Sequence, residues 1–361
     1  MSVAQTPESS VPAPAVVPPG SAETGSGTDV FARRTLIGGL VGGALVAALA
    51  GAALIAERPV PGIPTPGPVV EYGLPVVRVL LDLAAVAVIG LSLLPKLLGF
   101  DDPERTEPVL RRVRPAAVSA AWAWAVFAFV TVVFHTAELN PGAFPTPAAV
   151  ASYVSNVGAG QGLVISGATA LACAAVGLLA VRFGESVPAE LRTGIALFGL
   201  LPIPVTGHAV NSVWHDPIMI SMELHVMGAT AWTGGLLATA LFVAARRDLL
   251  AVALPKFSKL ATVCLILVSV SGLISGLSTM ALTPGVELPG ALLGSEYGLL
   301  LVAKVVLACA LVPLAAHIRF RLLPAIARRQ ATSMVAWAAA EVTVMGLAYG
   351  VAITLTRASL T

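Results

Sequence analysis

Tyr297-Gly-Leu-Leu-Leu-Val-Ala-Lys304-Val-Val-Leu-Ala-Cys309-Ala-Leu-Val-Pro-Leu-Ala-Ala-His317-Ile318 is an apolar run broken by a single fixed charge, Lys304. Wound as a helix at about 1.5 Å per residue, it is long enough to cross roughly 30 Å of hydrocarbon. Runs of the same kind cover 35–56, 72–94, 114–136, 160–181, 191–208, 217–245, 258–281 and 333–356. They are continuous and do not alternate every second residue, which excludes a β-barrel. The expectation is an all-α polytopic transmembrane bundle of about nine spans.

Composition points the same way. The 361 residues include 21 Lys+Arg and 19 Asp+Glu, so 11% are charged, against about 25% in a soluble domain. Mean hydropathy is +0.90. Such a chain cannot furnish a soluble surface. A net charge of +2 leaves no footprint for nucleic acid. Cys173, Cys264 and Cys309 all lie in apolar runs with no CxxC, which argues against a disulfide scaffold. Residues 1–30 are rich in Pro, Ser, Ala and Gly and read as a disordered cytoplasmic tail. The division expected is that tail, then helices 1–5 over 31–216 and helices 6–9 over 217–361.

Arg33-Arg34 before the first run also fits a twin-arginine or Sec signal. The run is longer than a usual signal core, and its overlapping pairs Gly38/Gly42 and Gly39/Gly43 suit close helix packing. A retained helix is the better reading. The same pairs permit dimerisation without requiring it.

Loop charge sets the orientation. Arg33 and Arg34, the five basic residues between Lys96 and Arg114, Arg182 and Arg192, the four between Arg246 and Lys259, and the four between Arg319 and Arg329 all fall on one side. The alternate loops hold Arg58, and Arg357 lies at the C-terminus. The N-terminus is therefore expected in the cytoplasm and the C-terminus outside it.

With that topology, His135, His208, His215 and His225 gather at or just below the outer surface, and only His317 lies near the inner one. The stretch from His208 to His225 holds three His, two Met and two carboxylates. On a helix Met222 and His225 share a face; Met219, Glu223 and Met227 follow one another on the adjoining face. Imidazole with thioether suits Cu(I), and imidazole with carboxylate suits Cu(II) or Zn(II) equally. The metal-ligand candidates are His135, His208, His215, Met219, Met222 and His225. A single Met in an apolar helix is ordinarily packing, and a single interfacial His is ordinarily solvated; the cluster is what suggests more. The spacing matches no established metal code.

Ionisable groups inside spans cost at least about 2.5–3.5 kcal/mol each, which makes them functional candidates. Arg78 and Asp82 are placed to pair at i,i+4, as a register-fixing ion pair or as a functional one. Lys304 and Glu341 are expected at depths differing by about 6 Å, close enough for two long side chains to meet. Glu223, beside the His/Met cluster, reads as a group for ion passage.

His225-Val-Met-Gly-Ala-Thr-Ala-Trp232-Thr-Gly234-Gly235 resembles the His-x6-Trp-x-Gly-Gly signature of the copper resistance D (CopD) family. Phe257-Ser258-Lys-Leu-Ala261 with Ser271-Gly272, then Glu296-Tyr297-Gly298 with Lys304, then Ala340-Glu341, resemble that family's following helices in order. Each piece is weak alone. The resemblance implies an inner-membrane protein of the bacterial plasma membrane that moves copper toward the cytoplasm. Of the candidate positions it carries over only His225 and Trp232. It implies an extracytoplasmic copper-binding protein as a partner. A CtaG-like or cytochrome oxidase assembly partner follows too, since in actinobacteria a similar module is often fused to one; no such module follows span 9 in this sequence. Trp232, Lys304 and Glu341 would then line or gate a path with Glu223. No nucleotide-binding motif accompanies them, so a transporter and not an enzyme is expected, passive or ion-coupled. Two other readings stand beside it. One is an electron-transfer protein holding haem b between His135, His208 and His225. The other is a factor that delivers copper to an oxidase and transports nothing.

Overall fold

The computed structural model describes residues 23–55, 64–202, 215–283, 285–328 and 333–359. Every regular element among them is helical. The helices are α1 (Glu23–Leu54), α2 (Pro68–Leu98), α3 (Pro103–Leu139), α4 (Pro147–Asn156), α5 (Gly158–Phe183), α6 (Ala189–Phe198), α7 (His215–Phe242), α8 (Arg247–Ala281), α9 (Gly290–Gly294), α10 (Glu296–His317), α11 (Leu323–Ala327) and α12 (Met334–Leu355). Local chemistry marks their starts. Pro68 and Pro103 stand in first turns, where a missing N–H costs nothing. The Asp102 side chain accepts from the Arg105 N–H at 3.4 Å, and the Ser295 hydroxyl accepts from the Gly298 N–H at 3.0 Å.

Seven helices, namely α1 from Phe31, α2, α3, α5, α8, α10 and α12, are long and apolar enough to cross a membrane. Nine spans are expected from the sequence, and the two others differ for separate reasons. α6 is described over only ten residues, and 203–214, which include His208, lie outside the described residues. α7 has 28 residues and is long enough, but Ser221, Glu223, His225, Thr230 and Thr233 lower its hydropathy. The helix too polar to qualify is the one that carries the candidate site. At the other end of the chain, α1 begins at Glu23, inside the segment expected to be a disordered tail. A long apolar helix extends its hydrogen-bond ladder into preceding residues at little further cost. Residues 1–22 lie outside the described residues.

Many large apolar side chains face outward, among them Phe129, Val263, Ile266 and Val306. Lipid, not water, is the solvent such a belt requires. Inside, α1 packs along α12, α2 along α3 and α7, and α7 along α8. Small residues allow these approaches. Gly39 and Gly43 lie under Thr343, and a Cβ on Gly346 would meet the Leu40 carbonyl. The Gly39/Gly43 pair is thus used within the chain, while Gly38 and Gly42 face open space.

The two ends of the bundle differ. At one, Arg114 is buried against Glu107 (2.7 Å) and Glu185 (3.1 Å), Arg192 reaches Glu185 at 2.7 Å, and Lys96 reaches Glu190 at 3.1 Å. These pairs tie α3 and the start of α6 to Glu185 in the turn after α5, and the start of α6 to the end of α2. At the other, Arg357 beyond α12 pairs with Glu138 of α3, and the Tyr297 N–H donates to the Ser359 carbonyl at 3.1 Å. The first is the end that loop charge assigns to the cytoplasm.

Candidate functional site between α7 and α8

His225 is 8% exposed and points from α7 into α8. Its Nδ1 lies 3.0 Å from the Val268 carbonyl oxygen and 3.3 Å from Ser271 Oγ. A carbonyl cannot donate, so the Nδ1 proton is the one shared in this contact. Ser271 gives its own hydroxyl proton to the Leu267 carbonyl, leaving lone pairs toward the ring. In the neutral imidazole Nε2 is then the unprotonated nitrogen. A backbone carbonyl holding one ring nitrogen while the other keeps its lone pair is the arrangement used to orient metal-binding histidines.

Gly272 makes room for the ring. A Cβ there would lie 2.9 Å from His225 Cε1 and 3.1 Å from Nδ1. Toward the end that bears Arg357 the seam continues as hydroxyls. Ser221, one turn before His225, donates to the Ser271 carbonyl at 3.1 Å and receives a bond from Ser275 at 3.4 Å. On α8, Ser271, Ser275 and Thr279 supply one hydroxyl per turn on one face. Lys304 of α10 lies within electrostatic reach of His225 and has no carboxylate within ion-pair distance among the described residues.

Two turns along α7, Trp232 is 3% exposed and its Nε1 donates to Glu341 Oε1 at 3.0 Å. Glu341 is itself 2% exposed. The expected Lys304–Glu341 pair is not formed among the described residues: Lys304 lies within electrostatic reach of His225, while Glu341 is bonded to Trp232. Two helical turns separate His225 from Trp232 by about 10 Å along α7. The rest of the Trp-x-Gly-Gly element is a helix junction. A Cβ on Gly234 would run into the Val86 carbonyl of α2, and one on Gly235 would press on the Phe257 ring at 3.0 Å.

The other expected residues divide. Arg78 and Asp82 face each other at 3.7 Å on α2. Met222 and Glu223 are part-buried on α7 near His225, Met219 is part-buried one turn earlier, and Glu223 has no hydrogen bond or ion pair with a described residue. His215 begins α7, but its side chain lies outside the described residues, as does all of His208. His135 stands elsewhere: its Nδ1 is 3.1 Å from Glu138 Oε2, its ring stacks on Tyr153 with centroids 6.1 Å apart, and Arg357 pairs with the same Glu138. Among the described residues no three His, Cys, Asp or Glu side chains gather closely enough to hold a metal. The three histidines whose side chains are described occupy separate environments, His225 on α8, His135 on Tyr153 and His317 stacked 3.8 Å over Trp337. They give no support to a haem. Sequence reasoning gave no role to Ser221, Ser275 or the Val268 carbonyl. The hydroxyl stripe every fourth residue in an apolar helix was the available signal.

Residues 251–355 match a family model described as Copper resistance protein D, and residues 69–215 match one described as Copper resistance protein D-like, N-terminal domain. All of α7 after His215 falls between the two matched segments. No curated protein and no solved structure gives a significant match.

Proposed function

The chain belongs to the copper resistance D family, a multi-pass membrane protein of that kind, and from this premise we propose that it takes up copper at the Arg357 end and passes it toward the cytoplasm. The α7–α8 seam is the route, and the arginine-clustered end is the cytoplasmic one. The observation that carries this reading is the His225 ring, whose Nδ1 is engaged by the Val268 carbonyl so that Nε2 keeps its lone pair. A buried imidazole held in that way is costly to place in a membrane helix without a ligand to serve. Met222, three residues earlier on the same face, supplies a thioether, and the pair suits Cu(I). The hydroxyls of Ser221, Ser275 and Thr279 replace water for an ion descending from the outer end. Met219 and Glu223 on the outer half of α7 serve as capture groups, joined in this reading by His208 and His215, which precede them in the sequence. Lys304 lies within electrostatic reach of the same place, and when protonated it opposes a resident metal and favours passage over storage.

Radioactive copper uptake into proteoliposomes tests the reading. Uptake of Cu(I), kept reduced with ascorbate, is expected to exceed that of protein-free vesicles. Equal uptake with and without the protein, in both oxidation states, contradicts it. A cell lacking the protein that keeps its cytoplasmic copper but loses oxidase activity would point instead to delivery without transport.

A further inference from the structure

Glu341 is the one carboxyl sunk in the helical core at 2% exposure among the described residues. Its recorded partner is a neutral one, the Trp232 indole N–H at 3.0 Å. No cation pairs with it among the described residues. The charged and titratable groups on the elements packed against α12 are engaged or placed elsewhere. On α7, His225 is bonded to the Val268 carbonyl two turns from Trp232, and Glu223 precedes it; on α10, Lys304 lies within electrostatic reach of His225, and His317 stacks on Trp337, one turn from Glu341 toward the arginine-clustered end. On α2, Asp82 faces Arg78. On α1, Arg33 lies over the Phe242 ring. In the turn after α10, Arg319 is bonded to Thr262 of α8. On α12 itself, Tyr349 is two turns along, its buried hydroxyl without a partner among the described residues.

An ionised carboxyl with no cation in a low-dielectric core costs several kcal/mol, so the group that occupies such a place carries its proton. A cation arriving beside it reverses the balance, because the carboxylate then has a partner. Glu341 lies two turns beyond His225 along the direction of travel, so a cation leaving the imidazole meets it next.

We propose that Glu341 is a proton-exchange group, which gives up its carboxyl proton to the outer side as a monovalent cation takes its place, so that proton and cation cross in opposite directions one for one. The exchange breaks the O–H bond, forms an ionic contact and changes no oxidation state. Reprotonation from the cytoplasmic side releases the cation there. The proposal rests on the transport reading above and deepens it.

Proteoliposomes with a pH-sensitive dye in the lumen and Cu(I) added outside provide the test. The native protein is expected to export about one proton per Cu(I) taken up, and an acidic lumen is expected to accelerate uptake. Glu341→Gln keeps an acceptor for Trp232 and the same volume, so the fold is retained. It is expected to cut Cu(I) flux by about tenfold or more, as removal of a titratable group from the path should, and to abolish the response to an acidic lumen. Glu341→Asp retains part of both. Cu(I) entry without proton export by the native protein overturns the proposal and leaves the transport reading intact, as does a Glu341→Gln protein that matches the native one in both fluxes. No Cu(I) entry at all overturns the transport reading and the exchange with it.

Discussion

At the scale of the residue, the orientation of His225 depends on the absence of one carbon atom. A methyl group at Gly272 would lie 2.9 Å from the ring, so Gly272→Ala must rotate the imidazole or push α8 away. Overpacking of this kind costs about 1–3 kcal/mol, and copper uptake is expected to fall at least about tenfold. Gly42→Ala, which adds a carbon into open space, is the control and should leave uptake unchanged. Lys304 gives a prediction of the opposite sign. Replacing it with Leu removes the amine near His225 without adding a copper ligand, so Cu(I) titration of the purified Lys304→Leu protein should show tighter binding than the native protein. An unchanged or weaker affinity would mean that the lysine holds no influence over the site. His225, Lys304 and Glu341 were all legible in the sequence as polar groups misplaced in apolar runs. Their partners were not. The Val268 carbonyl has no side-chain signature, and which helix faces His225 is a tertiary fact.

At the scale of the element, α7 is defined by what it touches. Its Trp232 bonds to α12, Gly234 crosses α2 at Gly90, and Gly235 receives Phe257 of α8. One short motif therefore fixes three neighbours, and this explains why Trp and two glycines stand together there. A side chain at Gly90 would strike the Gly234 carbonyl. Gly90→Val is expected to lower the thermal midpoint of the detergent-solubilised protein by several degrees, in line with a loss of about 1–3 kcal/mol. Trp232→Phe keeps the packing but strips the donor from a buried carboxyl, a loss of about 1–3 kcal/mol; it should destabilise the protein more than Trp337→Phe does. Helix existence was readable from apolar length alone. The limits were less so: α7 (His215–Phe242) lies close to the expected run 217–245, but α1 extends back into residues that read as tail. The Lys304–Glu341 expectation failed at this scale. Counting residues from span ends located both to within a turn or two, yet a hydrogen bond from a third helix decided which level Glu341 occupies.

At the scale of the whole molecule, the scarce charges are spent at the ends. Arg114, Arg192, Glu107 and Glu185 knit one end together, while the other presents Arg357 and Glu138. If the first faces the cytoplasm, a cysteine placed at 359 in a chain freed of Cys173, Cys264 and Cys309 should react with an impermeant maleimide added to intact cells. Labelling only after the membrane is opened would reverse the assigned direction. The distribution of Lys and Arg sets the expected orientation without a structure, because the bias is one-dimensional. The seam was not readable in the same way, since it arises where a stripe on α7 meets a stripe on α8. His225 is the point at which the sequence signal, the seam and the copper reading coincide. X-ray absorption of Cu(I) bound to the purified protein tests that coincidence most directly. An imidazole nitrogen in the copper shell that disappears in His225→Ala, together with the uptake, is the predicted result; a copper shell and uptake unchanged by His225→Ala would contradict it.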